Sequence, residues 1–224
     1  MQNIYLIRHG QSKGNVDRTV YQTVADHALP LSDLGWRQAK AAGEAMLSEL
    51  QRLEGQPVRI WCSPYRRTRE TADALQSVFQ SQIPQLDRRE HINLCEQQFG
   101  LFDGLEPEEL DERFPTESAH YKRTLNHEGK FWARMPLGES RFDVAVRIHE
   151  AFGTFHRDAA RDGVRNIVVV CHGVTLRAFV MQWLHLPYEW FDQQPNPNNC
   201  DIYHIPAKTF KEGGYIYRTP PELQ

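Results

Sequence analysis

Three short runs of apolar, mostly β-branched or aromatic residues each end abruptly in polar residues, and they limit the possible folds more than any other feature. The runs are residues 4–7, 58–62 and 167–171. Such runs are typical of strands that are buried on both faces of a sheet. The stretches between them carry apolar residues at helical spacing: Ala42, Met46, Leu50 and Leu53 in one, and Val144, Ile148, Phe152 and Phe155 in another. Strands that alternate with helices predict an α/β fold, namely a three-layer, doubly wound, mostly parallel sheet with helices on both faces.

Local signals place the ends of several elements. Ser63 and Pro64 offer an N-cap and a first helical position, and Ser140 with Asp143 fits a capping box, so we expect helices to begin near 64 and 140. Residues 55–57 and 162–163 are expected to form turns.

The length of 224 residues favours one domain over residues 1–224. Its least regular part covers about 105–138. After a short acidic helix at 107–114, this segment mixes basic and aromatic residues. We expect it to be a lid-like insertion or a binding loop.

Charge and composition argue against several classes of function. The net charge of -3 offers no electrostatic basis for binding nucleic acid or an anionic membrane surface. No apolar run approaches the roughly 18 residues that span a bilayer, so we expect no membrane residence and a cytoplasmic location. The four cysteines form no C-x-x-C pair, and we expect them to be reduced and mostly buried.

Histidine followed by glycine stands just beyond the ends of two predicted strands. His9 and His172 hold these positions, while Arg8 and Arg67 lie beside the first and middle strand ends. The carboxyl ends of parallel strands meet at the edge of the sheet where ligands bind. We therefore expect two imidazoles and at least two guanidinium groups to converge on one crevice.

A phosphate suits this crevice, because arginine presents a planar fork that matches phosphate oxygens. A neutral imidazole can attack phosphorus and form a phosphohistidine, while the surrounding cations stabilise the transferring group. One of the two histidines would be the nucleophile, and the other would help to bind the oxyanion. The leaving alkoxide needs a proton, for which Glu96 is the candidate donor.

Other interpretations remain open at this point. A single histidine after a strand is more often a hydrogen-bonded structural residue, and arginines on an exposed helix are usually solvated. His9, His172 and Glu96 with a nearby aspartate could instead hold a hydrolytic metal ion, although the charge of two arginines opposes a divalent cation. A catalytically inactive module that senses a phosphorylated metabolite or protein is a further alternative.

The sequence also resembles a known family, the histidine phosphatase superfamily, which includes phosphoglycerate mutases and phosphatases. Residues 4–15 resemble the opening signature of this family, and four further segments of the chain match it in order: 31–39, 63–72, 96–100 and 171–177. The resemblance implies that His9 is the phosphorylated nucleophile and Glu96 the proton donor. It implies a phosphate pocket formed by Arg8, Asn15, Arg67 and His172, with no metal and no cofactor.

Two departures from the family pattern are Gln11, where glutamate is common, and Tyr65, where leucine is frequent. We expect neither of them to touch the chemistry. After Asn15 the chain lacks the Arg-Phe-Thr-Gly-Trp run of the glycolytic mutases, and its insertion looks more like a phosphatase branch.

These features favour hydrolysis of a small phosphorylated metabolite, with a mutase-like phosphotransferase as the alternative. Lys122, Arg123 and Arg134 are candidate contacts to the rest of the substrate, although each would equally suit a solvated loop. The oligomeric state stays open, and an exposed apolar edge would allow two chains to pair.

Overall fold

Six strands form one sheet in the computed structural model, which describes residues 2–52, 56–207 and 212–224. They are β1 (Asn3–Arg8), β2 (Val58–Cys62), β3 (Leu86–Glu90), β4 (Asn166–Cys171), β5 (Ile202–Ile205) and β6 (Gly214–Tyr217). The order across the sheet is β3-β2-β4-β1-β5-β6. Neighbouring strands from β3 to β1 are parallel, and β5 is antiparallel to both of its neighbours. The predicted mostly parallel sheet is confirmed, and the three predicted strands form its centre.

Helices cover both faces of this sheet, as predicted. They are α1 (Lys13–Val16), α2 (Asp33–Gln51), α3 (Arg66–Phe79), α4 (Pro107–Arg113), α5 (Pro115–Glu128), α6 (Arg141–Asp162), α7 (Gly173–Trp183) and α8 (Tyr188–Gln193). One apolar core lies between the sheet and α2 with α3, and the other lies between the sheet and α6 with α7. Successive residues of a strand point to opposite faces. Ile7 and Val170 therefore enter the first core, whereas Leu6 and Val169 enter the second.

The predicted helix starts are correct at one place and wrong at the other. The Ser140 hydroxyl caps the backbone N–H of Asp143, whose carboxylate accepts from the backbone N–H of Ser140, so α6 begins with the expected capping box. The other helix, α3, begins at Arg66 instead of Pro64, because Tyr65 takes the N-cap position.

Two predicted loops and turns have mixed outcomes. Gly163 ends α6 in the left-handed conformation with φ of 68°, as expected for the turn at 162–163. Leu53 and Gly55, on which a helical face and a second turn were predicted, lie outside the described residues.

The segment 105–138 is more regular than the sequence indicates. The predicted short helix is present as α4, but α5 follows it at once, with Pro115 at a first helical position that tolerates proline. The sequence shows no helical period here because Ser118 is the only residue of α5 that is buried. Apart from residues 105, 106 and 114, the irregular chain of this segment follows Glu128.

All four cysteines are free, and three of them are buried, in agreement with the sequence prediction. Cys95 is the one that is partly exposed. Within the described ranges, no helix is both long and apolar enough to cross a membrane.

Candidate active site

The register of the sheet brings three strand ends together. Arg8 at the end of β1 lies beside Cys171 at the end of β4, and Cys62 at the end of β2 lies beside Val170. Backbone hydrogen bonds continue one residue further on both sides of β4. The residues that follow these strands therefore emerge at one edge of the sheet, where parallel α/β sheets bind ligands.

His9 is held in one tautomer. Its Nδ1 lies 2.7 Å from the carbonyl oxygen of Gly10, and because a carbonyl can only accept, Nδ1 carries the proton. In the neutral ring, Nε2 then has the free lone pair, and it accepts a hydrogen bond from Nε of Arg67 at 3.2 Å. The ring is almost fully buried, yet His9 lines a cavity of about 410 Å³.

Close backbone packing requires glycine after His9. A Cβ on Gly10 would lie 2.4 Å from the carbonyl oxygen of Gly35 on α2. Any larger residue would push the strand end away from α2. The glycine therefore fixes the position of the His9 backbone.

His172 is fully buried and its ring packs against that of His9. The two ring centroids are 5.1 Å apart in an edge-on arrangement, and Nε2 of His172 is 3.0 Å from the hydroxyl of Ser63. Its Nδ1 is buried and has no hydrogen-bond partner among the described residues. The predicted pair of imidazoles is thus brought together.

Arg8 and Arg67 flank the two rings. Arg67 is almost fully buried, and its guanidinium also makes a forked pair with the carboxylate of Asp26 at 2.8 and 3.2 Å. Arg8 donates from Nη1 to the carbonyl of Pro197, while its Nε is buried without a partner in the described parts of the chain. Unsatisfied donors of this kind are rare in proteins, and an anion's oxygens would satisfy them.

Electrostatics keep both histidines neutral. Burial lowers the pKa of His9 well below its ordinary value of about 6.5, and the charges of Arg67 and Arg8 lower it further. Burial and the charge of Arg67 lower the pKa of His172 in the same direction. Neutral imidazole is the form that can attack phosphorus.

Glu96 belongs to a loop, and its side chain contacts the first turn of α7. Its two carboxylate oxygens accept from the backbone N–H groups of Val174 and Thr175, each at 3.3 Å, and from the Thr175 hydroxyl at 3.2 Å. Negative charge is favourable at a helix N-terminus. The carboxylate lines the same cavity as His9, as the sequence predicts.

Asn15 lies on the opposite wall of the cavity. Its amide oxygen accepts from the backbone N–H of Ser12, which caps α1. This bond uses the oxygen, so the amide Nδ2 is the donor that can serve a ligand. Asn15 is exposed at the cavity mouth.

The three predicted loop cations do not reach the cavity. Lys122 pairs with Asp111 at 2.5 Å, and Arg134 pairs with Asp143 at 2.5 Å. Arg123 lies on a shallow surface hollow with His120. All three stay on the surface, in line with the alternative that they are solvated.

Other cations line a second cavity of about 250 Å³ beside the first. Both cavities share Glu96, Phe99 and Asn196, so Glu96 lies at their junction. The cations of the second cavity are Lys130, Arg141 and Arg177. Of the insertion, only its last part and Tyr121 contribute to this wall.

Comparison with known families agrees with this geometry. The model of the histidine phosphatase superfamily, branch 1, matches residues 4–216. The chain belongs to the histidine phosphatase superfamily. Members of this superfamily are phosphatases or mutases.

Individual relatives and solved structures match most of the chain. The phosphoglycerate mutase-like protein AT74 of Arabidopsis thaliana is 33% identical over 90% of this chain, which spans 63% of that protein. A mycobacterial glucosyl-3-phosphoglycerate phosphatase in complex with inorganic phosphate is 25% identical, with a TM-score of 0.67 over 100% of both chains. The alpha-ribazole phosphatase of Shigella flexneri shares the fold at 18% identity, with a TM-score of 0.71 over 98% of this chain and 96% of its own.

The two departures from the superfamily pattern have different consequences. Gln11 accepts a hydrogen bond from the hydroxyl of Ser32 and is not among the residues that line the first cavity. Tyr65, in contrast, places its ring 5.0 Å from that of His172 and accepts from the amide of Gln98 at 2.6 Å. Tyr65 therefore packs against a predicted site residue, although it is not among the residues that line the first cavity.

Several residues of the site were not predicted. Asp26, Ser63 and Asn196 gave no signal, because short polar residues are ordinary in loops. Arg177 did give one: it is a lone charge in an otherwise apolar helix, and only 8% of it is exposed. Charged residues are almost never fully buried unless they are paired.

Proposed function

We propose that this protein is a phosphatase that hydrolyses phosphate monoesters through a phosphohistidine on His9, with Glu96 as the proton donor. The observation that carries the proposal is the hydrogen bond from Nδ1 of His9 to Gly10, which leaves the Nε2 lone pair facing Arg67, with the charge of Arg8 close by. A bound phosphoryl group would replace the hydrogen bond that Arg67 now donates to that lone pair.

The reaction proceeds in two steps. Nε2 of His9 attacks phosphorus, the ester P–O bond breaks, and the leaving alkoxide takes a proton from Glu96. Water then attacks phosphorus, its proton passes to Glu96, and the N–P bond breaks to return neutral His9. Arg8, Arg67 and Asn15 would bind the phosphoryl oxygens, and the unpartnered Nδ1 of His172 supports a similar role for that ring.

Access of water favours hydrolysis over the mutase-like alternative. Asn15, Asp103 and Asn196 line the first cavity and are exposed, so this cavity is open to solvent. A mutase must keep water from its phosphohistidine. Conversion of 3-phosphoglycerate to 2-phosphoglycerate, measured with a bisphosphate primer, would support the alternative if it were faster than release of phosphate.

The decisive experiment is to trap the phosphoenzyme. Incubation with a ³²P-labelled ester and rapid quenching should give one acid-labile, base-stable phosphate on His9. His9→Ala should lose both the label and the hydrolysis of p-nitrophenyl phosphate, and His127→Ala, on exposed α5, is the matched control. Activity that survives in His9→Ala would overturn the proposal, and activity that is lost with EDTA would support the metal-dependent alternative.

The second cavity supports a substrate that carries another acidic group. Arg177 is buried, and within the described chain it donates only to the carbonyls of Gly173 and Gln194 and has no carboxylate partner. Burial and repulsion from Arg141 lower the pKa of Arg177. A buried cation without an ion pair is costly, and a ligand carboxylate or phosphate would offset that cost.

Two substrates of equal length test this preference. We expect 3-phosphoglycerate to be hydrolysed with a higher kcat/KM than glycerol 3-phosphate, because only the former carries a carboxylate. Arg177→Met should remove the difference, and Arg134→Ala, on the surface, should keep it. If Arg177→Met retains the preference, the second cavity does not bind the acidic group.

A further inference from the structure

We infer that Arg147 is a positioning residue, which together with Glu139 holds the Glu96 segment in place for proton donation; this inference rests on the proposed function. Arg147 lies on α6, and its guanidinium donates to three backbone carbonyls at and just before Glu96. Its Nη1 donates to the carbonyls of Asn93 and Cys95 at 2.7 and 2.9 Å, and its Nη2 donates to the carbonyl of Glu96 at 3.1 Å.

Glu139 pairs with Arg147 and also bonds to the residues that follow Glu96. Its carboxylate accepts from Nε and Nη2 of Arg147 at 2.8 and 3.0 Å, and it also accepts from the backbone N–H of Gln98 at 3.0 Å. Its backbone carbonyl accepts from the side chain of Gln97 at 2.8 Å. Residues on both sides of Glu96 are therefore tied to one ion pair.

The Glu96 segment needs such support because no helix or strand holds it. Residues 95–99 have no regular secondary structure, so their backbone groups have no ladder partners. A loop at a catalytic site must hold its reacting group to within about 0.5 Å. The charge-assisted bonds of Arg147 and the bond from Thr175 to the carbonyl of Cys95, at 2.7 Å, provide that precision.

The leaving group distinguishes positioning from a general structural role. An alkyl phosphate needs a proton on its leaving oxygen, whereas 2,4-dinitrophenyl phosphate leaves without one. We expect Arg147→Met to lower kcat/KM about 100-fold for the alkyl ester but less than about threefold for the dinitrophenyl ester. The ratio kcat/KM is measured because it reports transfer to His9 and not the later hydrolysis.

Matched variants complete the test. Arg147→Lys should recover part of the loss, and Arg157→Met, which removes an exposed arginine from the same helix, should change neither ester. In a Glu96→Gln background, Arg147→Met should lower the alkyl rate by less than about threefold more. If Arg147→Met proves unstable, Glu139→Gln should show the same selectivity for the alkyl ester.

Two results would overturn the inference: an equal loss for both esters, or full additivity with Glu96→Gln. Either could occur while the phosphoenzyme still forms on His9, so the inference can fail without the proposed function. Loss of the phosphoenzyme in the wild type would instead reject the proposed function itself.

Discussion

Protonation of His9 is set by its surroundings at the scale of single residues. Burial beside Arg67 and Arg8 lowers the pKa of the ring well below about 6.5, so the neutral nucleophile persists as the pH falls through that value. We therefore expect kcat/KM for p-nitrophenyl phosphate to stay level between about pH 7.5 and pH 6. ¹⁵N NMR at pH 6 should show the Nδ1–H tautomer of His9.

A fall in kcat/KM centred near pH 6.5 would contradict this expectation. An optimum well above neutrality would count against Glu96 as the acid.

Sequence position predicts which residues meet at the sheet edge, but not how each one is bonded. His9, His172 and Arg67 follow strands whose apolar runs are unmistakable, so their convergence could be expected. The cations of the second cavity come from α6, α7 and the end of the insertion, and only tertiary packing brings them together. The sequence therefore indicates Lys122, Arg123 and Arg134, whereas Lys130, Arg141 and Arg177 line the wall.

At the scale of elements, the first residue of α7 controls the shape of the site. A Cβ on Gly173 would lie 2.2 Å from Oδ1 of Asn196, which lines both cavities. We expect Gly173→Ala to displace Asn196 or the start of α7, where Glu96 is bound, and to lower kcat/KM at least about tenfold. Steady-state kinetics on an alkyl phosphate measure this.

Gly153, inside α6, is the control for that substitution. A Cβ there would meet only the guanidinium of Arg157, at 3.4 Å. Gly153→Ala should keep full activity and raise the free energy of unfolding by roughly 0.5–1 kcal/mol, because alanine favours the helix. An active Gly173→Ala would show that the Asn196 contact is unimportant.

Two of the strands that the sequence failed to predict, β3 and β6, have no apolar pattern. β3 is an edge strand of four polar or charged residues after Leu86, and it is only half buried. β6, at the other edge, alternates exposed and half-buried residues over four positions. Edge strands bury little, so the hydrophobic signal that identifies β1, β2 and β4 is missing.

For the molecule as a whole, the buried histidines couple stability to pH. Burial lowers the pKa of both His9 and His172 in the folded protein, so below about pH 6.5 the unfolded chain binds protons that the folded chain does not. The free energy of unfolding should therefore fall as the pH drops below that value. Urea unfolding at pH 7.5 and 5.5 measures this, and His172→Asn should reduce the difference.

At the end of the sheet opposite the site, an ion-pair network around the buried Arg59 joins β2 to β3 and α6. We expect this network to matter for stability and not for catalysis. Arg59, near the start of β2, is 5% exposed and pairs with Asp158 of α6 at 2.6 Å and Asp87 of β3 at 2.8 Å. Arg59→Met would leave the buried carboxylate of Asp158 without its closest partner. We expect it to lower the free energy of unfolding by about 3 kcal/mol or more, measured in urea.

A double variant distinguishes the contribution of the ion pair from the cost of leaving one buried charge unpaired. In Arg59→Met with Asp158→Leu, no buried charge is left unpaired, so most of the lost stability should return. Both variants should keep the wild-type kcat/KM at a temperature where they are folded, because Arg59 lies at the amino end of its strand while His9 follows the carboxyl end of β1. If Arg59→Met were as stable as the wild type, the network would not hold α6 to the sheet. If this variant lost activity while it was folded, the two ends of the sheet would be coupled through β2.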